Sequence, residues 1–147
     1  MKPAFGILVL AAGRSSRFGS DKLLAKMHDG RPVIAHSLAP LQAIALKYQL
    51  ELCVITRVDN QNLIDYLTNH QIPYTLCYEA HLGMGHSIAY GIKSNQAWQG
   101  WMICLADMPC LTLEVIEALV HNIIKDPAEI VRPSFLKNGK RIPSHPV

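Results

Sequence analysis

Residues 5–24 read FGILVLAAGRSSRFGSDKLL, and the fold turns on how this stretch divides. Its first part, FGILVLAA at 5–12, is a continuous apolar run, the pattern of a β-strand covered on both faces. Its second part breaks into glycine, serine and three cations, Arg14, Arg17 and Lys22, before apolar character returns at Leu23 and Leu24. Strands buried on both faces belong to parallel sheets, whose connections are usually helices.

The rest of the chain alternates accordingly. RPVIAHSLAPLQAIAL (31–46) has helical apolar spacing, with Pro40 expected to kink or shorten the helix. LELCVITRV (50–58) reads as a strand, and DNQNLIDYLTNH (59–70) as a helix opened by cap residues, with Leu63, Ile64 and Leu67 on one face. IPYTLCYE (72–79) is a third strand. GMGHSIAYGIKSN (83–95) starts a helix after a glycine pair, with Met84, Ile88 and Ile92 four apart. WMICLAD (101–107) is a fourth buried strand, and Thr112 caps a helix carrying Val115, Ile116, Leu119, Val120, Ile123 and Ile124. EIVRPSF and KRIPSHPV flank Lys137-Asn138-Gly139, whose Asn-Gly pair suits a hairpin. There is no internal repeat, low-complexity tract or linker, so the 147 residues are expected to form one α/β domain with a mostly parallel sheet.

Composition narrows the function. Half the chain is hydrophobic and 17% is charged, which excludes a disordered polyampholyte. A net charge of +3 permits anionic small ligands but lacks the basic stripe of a nucleic-acid binder. No apolar run approaches the ~20 residues of a membrane span. The apolar stretch near the N-terminus leads into Gly13 and arginines, which suits a buried strand better than a signal peptide. Cys53, Cys77, Cys104 and Cys110 form no CxxC pair, and three of them sit in apolar runs. They read as reduced core thiols of a cytoplasmic protein.

In open parallel sheets, ligands bind beyond the carboxyl ends of the strands. The chemically unusual residues fall there: the basic glycine loop after the first strand, HLGMGHS after the third, and Asp107 in LADMP after the fourth. Glycines at 13 and 19 allow positive φ and close backbone approach, so amides can turn toward an anion while Arg and Lys supply charge-assisted bonds. The spacing is neither a Walker A loop nor GxGxxG, and a plain solvated loop is the bland alternative. Asp107 is either a turn aspartate before Met108-Pro109 or a carboxylate holding Mg²⁺ against polyphosphate oxygens. His81, His86 and His145 lack the spacing of a zinc site, and neither Ser87 nor a cysteine has a nucleophile elbow.

LAAGRSSRFGSDKLL, GMGHSIAYGI, LADMP and the closing SHPV together resemble the MobA-like nucleotidyltransferase family, over Ile7 to Val147. The nearest look is to molybdenum cofactor cytidylyltransferases. That resemblance implies a Rossmann-like domain that transfers a nucleoside monophosphate from an NTP to a phosphorylated acceptor and releases pyrophosphate. It implies that Leu10, Ala11, Ala12, Gly13 and Arg14 hold the nucleotide, with Arg17 and Lys22 gripping phosphates. Gly85 and Ser87 would lie along base and ribose, Asp107 would bind Mg²⁺, and His145 would meet the acceptor. Arg17, Lys22 and Asp107 form the implied catalytic set.

The same resemblance refines the substrates. In the family, LAAG accompanies cytidylyl transfer and LAGG guanylyl transfer, and this chain has Ala12, so CTP is the expected donor. A phosphorylated pterin, molybdopterin, is the expected acceptor, with a molybdoenzyme or chaperone as a further partner. Ser144 replaces the family's glycine before HPV, and relatives continue past this point with a second metal-binding aspartate. The expectation is therefore a C-terminally incomplete family domain. Two alternatives follow: a nucleotide-binding module without catalysis, and a sibling transferase using GTP or another phosphorylated acceptor.

Overall fold

The computed structural model describes residues 5–14 and 21–143. Four parallel strands form the main sheet in the order β3-β2-β1-β4: β1 (Phe5–Leu10), β2 (Leu52–Arg57), β3 (Tyr74–Cys77) and β4 (Gly100–Leu105). The α/β fold with a parallel sheet is therefore as the sequence implies. Helices α1 (Val33–Tyr48), α2 (Gln61–Asn69) and α3 (Met84–Ser94) connect successive strands, and α4 (Leu113–Lys125) follows β4. Leu10 of β1 pairs with Leu105 of β4, so these two carboxyl ends come level, while β2, whose Ile55 also pairs with Leu10, runs two residues further to Arg57.

Alternation along β1 divides the core in two. Ile7, Val9 and Ala11 face a cluster with Ile34 and Leu38 of α1, Leu63 and Leu67 of α2, and Ile116 and Val120 of α4. Leu8, Leu10 and Ala12 face a second cluster with Cys53, Ile55, Cys77 and Trp98, against which Ile88 of α3 packs. The chain winds outward from β1 to β3 with helices on the first face, then returns to β4 through α3 on the second. That reversal puts the topological switch point at the carboxyl ends of β1 and β4.

Two expectations need correction. Helix α1 is not shortened at Pro40: it continues from Val33 to Tyr48. The missing amide costs roughly 3 kcal/mol in a helix interior. Burial of Ile34, Leu38, Leu41 and Ile44, all at most 1% exposed, outweighs it at about 1.5–3 kcal/mol per side chain. Strand β4 is buried on one side only: Met102 and Cys104 are covered, while Trp101, Ile103 and Leu105 on the α3 side are half-buried. It lies at the end of the sheet order, where α3 does not reach across it fully.

The hairpin forms as β5 (Ser134–Lys137) and β6 (Lys140–Pro143), antiparallel and apart from the main sheet. Asn138 and Gly139 take φ of 51° and 73°, the left-handed pair that a two-residue turn of this kind needs. Among the described residues no helix is long and apolar enough to cross a membrane. Cys53, Cys77 and Cys104 are buried and Cys110 is exposed, all as free thiols.

Candidate functional site

Where β1 and β4 end, a cavity of about 800 Å³ opens. One wall is the chain leaving β1, from Leu10 through Arg14. A short 3-10 turn at Lys22–Leu24 brings Lys22 and Leu23 to it, and a second at Ala80–Leu82 brings Ala80 and His81. Gly83, Met84 and Ser87 enter from the start of α3, and Leu105 and Asp107 from the end of β4.

Each position has a local cause. Asp21 caps the first turn, accepting the Leu23 amide at 3.1 Å, and buried Leu23 pins the turn to the core. Lys22, between them, reaches across the cavity so that its Nζ donates to Asp107 Oδ2 at 3.2 Å. Gly83 holds φ 116°, a conformation that favours glycine, and serves as N-cap of α3 without a side-chain hydrogen bond. The start of that helix, where amides lack intrahelical partners, therefore faces the cavity. Ser87, one turn in, is buried.

The sequence assignments divide as follows. Leu10, Ala11, Ala12, Gly13, Arg14, Lys22, Ser87 and Asp107 meet at this cavity. Gly85 lies in the first turn of α3 but off the lining, and a Cβ there would touch nothing within 4 Å. Gly13 does not use the positive φ expected of it, and a Cβ there would also meet open space. Nothing among the described residues thus requires a glycine at that position. Arg17, Gly19, Ser144 and His145 lie outside the described residues.

Sequence reasoning missed several neighbours. Met84, expected on the apolar face of α3, is 48% exposed and lines the cavity instead. His81 borders both this cavity and a smaller one of about 160 Å³, shared with Arg14 and Ala80 and continued by Arg57, Asp59 and Tyr78. Arg57 Nε lies 3.1 Å from Asp59 Oδ1, and Arg14 Nη2 lies 3.9 Å from Asp59 Oδ2. In the sequence Arg57 reads as strand and Asp59 as a helix-opening cap residue, with no chemistry attached to either. The strand-end rule applied to RVD at 57–59 points to both.

Fold and site together define an open parallel α/β domain with a partly basic cavity at its switch point, suited to an anionic ligand. Residues 7–146 match the MobA-like NTP transferase domain, and the chain belongs to that family. A probable molybdenum cofactor guanylyltransferase of Rhodopirellula baltica is 29% identical over 131 residues, which is 88% of this chain and 60% of that protein. The chain thus spans about 60% of the length of this curated relative. Among solved structures, a CMP:2-keto-3-deoxy-manno-octonic acid synthetase complexed with CTP superposes with a TM-score of 0.69 at 18% identity, over 84% of this chain and 48% of that one. A cytidylyltransferase from Leptospira borgpetersenii superposes with a TM-score of 0.62 at 12% identity, over 86% of this chain and 51% of that one. At these identities the two structures speak for the fold.

Proposed function

We propose that this domain transfers CMP from CTP to a phosphorylated acceptor, molybdopterin, and releases pyrophosphate. The observation that carries the reading is the convergence of Lys22 and Asp107, 3.2 Å apart, over a cavity walled by the Leu10–Arg14 backbone. An acceptor phosphate oxygen is already a competent nucleophile. It attacks the α-phosphorus, the bond from that phosphorus to the bridging oxygen breaks, and pyrophosphate leaves with the electron pair. No base is needed, and the protein's work is in-line positioning and neutralisation of charge.

In this reading Leu10 to Gly13 line the nucleotide, Arg14, Arg17 and Lys22 meet its phosphates, Gly85 and Ser87 pass along base and ribose, and His145 serves the acceptor. The donor set fits Mg²⁺ bound largely through the nucleotide: among the described lining residues a single carboxylate, Asp107, stands at the rim, and Mg²⁺ takes one or two carboxylates plus phosphate and water oxygens. Asp107 would hold the ion, which would neutralise phosphate charge. The methyl of Ala12, buried in the wall, supports the smaller pyrimidine over a purine.

A second reading, with GTP as donor, is favoured by the name of the Rhodopirellula baltica relative. Titration calorimetry with CTP and GTP, each with and without Mg²⁺, separates the two. Mg²⁺-dependent CTP binding that Asp107→Asn abolishes is the expected result. Preference for GTP would overturn the base assignment, and binding of neither would overturn the nucleotide reading. Adding molybdopterin and measuring pyrophosphate then tests transfer: binding without pyrophosphate release would make this a binding module.

A further inference from the structure

Arg14, four residues past the end of β1, and Asp21, just before the turn that carries Lys22, are both fastened to the same corner. Arg14 Nη2 lies 3.9 Å from Asp59 Oδ2, and Asn60 Nδ2 donates to Asp21 Oδ2 at 2.6 Å. Asp59 and Asn60 are consecutive residues at the start of α2. Of the two fastenings, the second is the stronger. The Arg14–Asp59 pair is exposed at 67% and 58%, where such pairs contribute little. The Asn60–Asp21 bond is short, part-buried and charge-assisted.

Both side chains are engaged through both of their polar atoms. Asn60 Oδ1 accepts the Leu63 amide at 3.3 Å and so caps α2, while its amide goes to Asp21. Asp21 gives its other oxygen to the Leu23 amide at 3.1 Å, and its carbonyl accepts from Leu24, also at 3.1 Å. One helix cap is thereby tied to the cap of the turn that carries Lys22, across 39 residues of sequence. With Leu23 buried on the far side, Lys22 stands between two anchored neighbours.

We infer that Asn60 is a positioning residue of the cavity: through Asp21 it fixes the turn from which Lys22 meets the phosphates of a bound nucleotide. The inference rests on the nucleotide reading above for its ligand, but not for the bond itself. Asn60 touches no substrate in this account and acts through Lys22 alone.

Asn60→Asp is the incisive substitution. It keeps the cap of α2, since aspartate caps as well as asparagine, but turns an oxygen instead of a donor toward Asp21. The double variant Asp21→Asn with Asn60→Asp restores the bond with donor and acceptor exchanged. Calorimetry with CTP and GTP against cytidine and guanosine should show triphosphate affinity falling about tenfold in Asn60→Asp and nucleoside affinity unchanged. In a Lys22→Ala background Asn60→Asp should cost nothing further, and the exchanged pair should recover the loss. Equal weakening of nucleoside and triphosphate, undiminished triphosphate binding, or no recovery would overturn the inference. Amide hydrogen exchange at Leu23 in the ligand-free chain is the second readout. It should quicken in Asn60→Asp and return to the original rate in the exchanged pair, and an unchanged rate overturns the inference. If the unaltered chain binds neither CTP nor GTP, the nucleotide reading fails, and the exchange rate alone decides whether the clip exists.

Discussion

Lys22 and Asp107 are 85 residues apart in sequence and meet at 3.2 Å across the mouth of the cavity. Their side chains are 44% and 43% exposed. Ion pairs in such surroundings contribute about 0–1 kcal/mol, because water screens the attraction and two long side chains lose freedom. The pair is therefore poor as a brace. What it provides is a cation and a carboxylate held within reach of one ligand. On the nucleotide reading proposed above, a phosphate oxygen entering the cavity would compete with Asp107 for the ammonium and so release the carboxylate.

Stability and binding should accordingly separate. Lys22→Ala and Asp107→Asn are each expected to change the unfolding free energy by less than about 1 kcal/mol in urea melts. Lys22→Ala should weaken CTP about tenfold or more while leaving cytidine unaffected, since only the phosphates lose a charge-assisted partner. A large loss of stability in either variant, or normal CTP affinity in Lys22→Ala, would contradict this account.

Helix α3 is seated by a glycine. A Cβ at Gly91 would stand 2.5 Å from Leu8 Cδ2 and 3.1 Å from Ile55 Cγ1, and both neighbours are fully buried in β1 and β2. Gly91→Ala must push α3 off the sheet or force strained rotamers beneath it. The expected cost is about 1–3 kcal/mol, read as a lower midpoint in urea. Because α3 also carries Met84 and Ser87 to the cavity, nucleotide binding should weaken in the same variant. A stability equal to the unaltered chain would show that the packing is looser than these distances imply.

Much of this architecture was legible because each strand announces itself twice, once by apolar content and once by where the polar residues begin. The run 5–12 identifies the central strand, and the break at Gly13 marks the edge where Arg14, Lys22 and Asp107 gather. Pro40 misled because propensity is local, whereas the stripe from Ile34 to Ile44 draws its stability from α4 and the sheet. Met84 misled because helical spacing gives a stripe without saying where the sheet beneath it ends. The Asn60–Asp21 bond has no sequence signal at all: both residues are ordinary cap types, and only the crossover topology brings them together.

The thiols offer a test of core placement. Cys53, Cys77 and Cys104 are buried and Cys110 is exposed two residues past Met108. Burial pushes the Cys104 thiol up to about 12, which removes the reactive thiolate at neutral pH. Titration with a chromogenic disulfide should find one fast thiol per native chain, lost in Cys110→Ser, and the remainder only after denaturant. Rapid reaction of more than one thiol in native buffer would place a cysteine wrongly.

Acid should loosen the seam between α1 and α4. Glu117 of α4 accepts hydrogen bonds from Lys47 and, at 2.8 Å, from the Tyr48 hydroxyl, both near the end of α1. The Lys47 bond first, then the Tyr48 bond, holds the Glu117 carboxyl below its ordinary value of 4.5. A carboxyl lowered by folding adds stability that is present above its unfolded value and is lost as pH falls through the folded one. The same bond to Glu117 raises Tyr48 and Lys47, so their contributions run the other way and fade as the solution turns strongly alkaline. Melting temperatures measured at about pH 6 and about pH 3 should therefore fall less in Glu117→Gln than in the unaltered chain, since the variant has no proton to take up there. Equal falls would assign the acid sensitivity to other carboxyls, and a larger fall in the variant would reverse the sign of the argument.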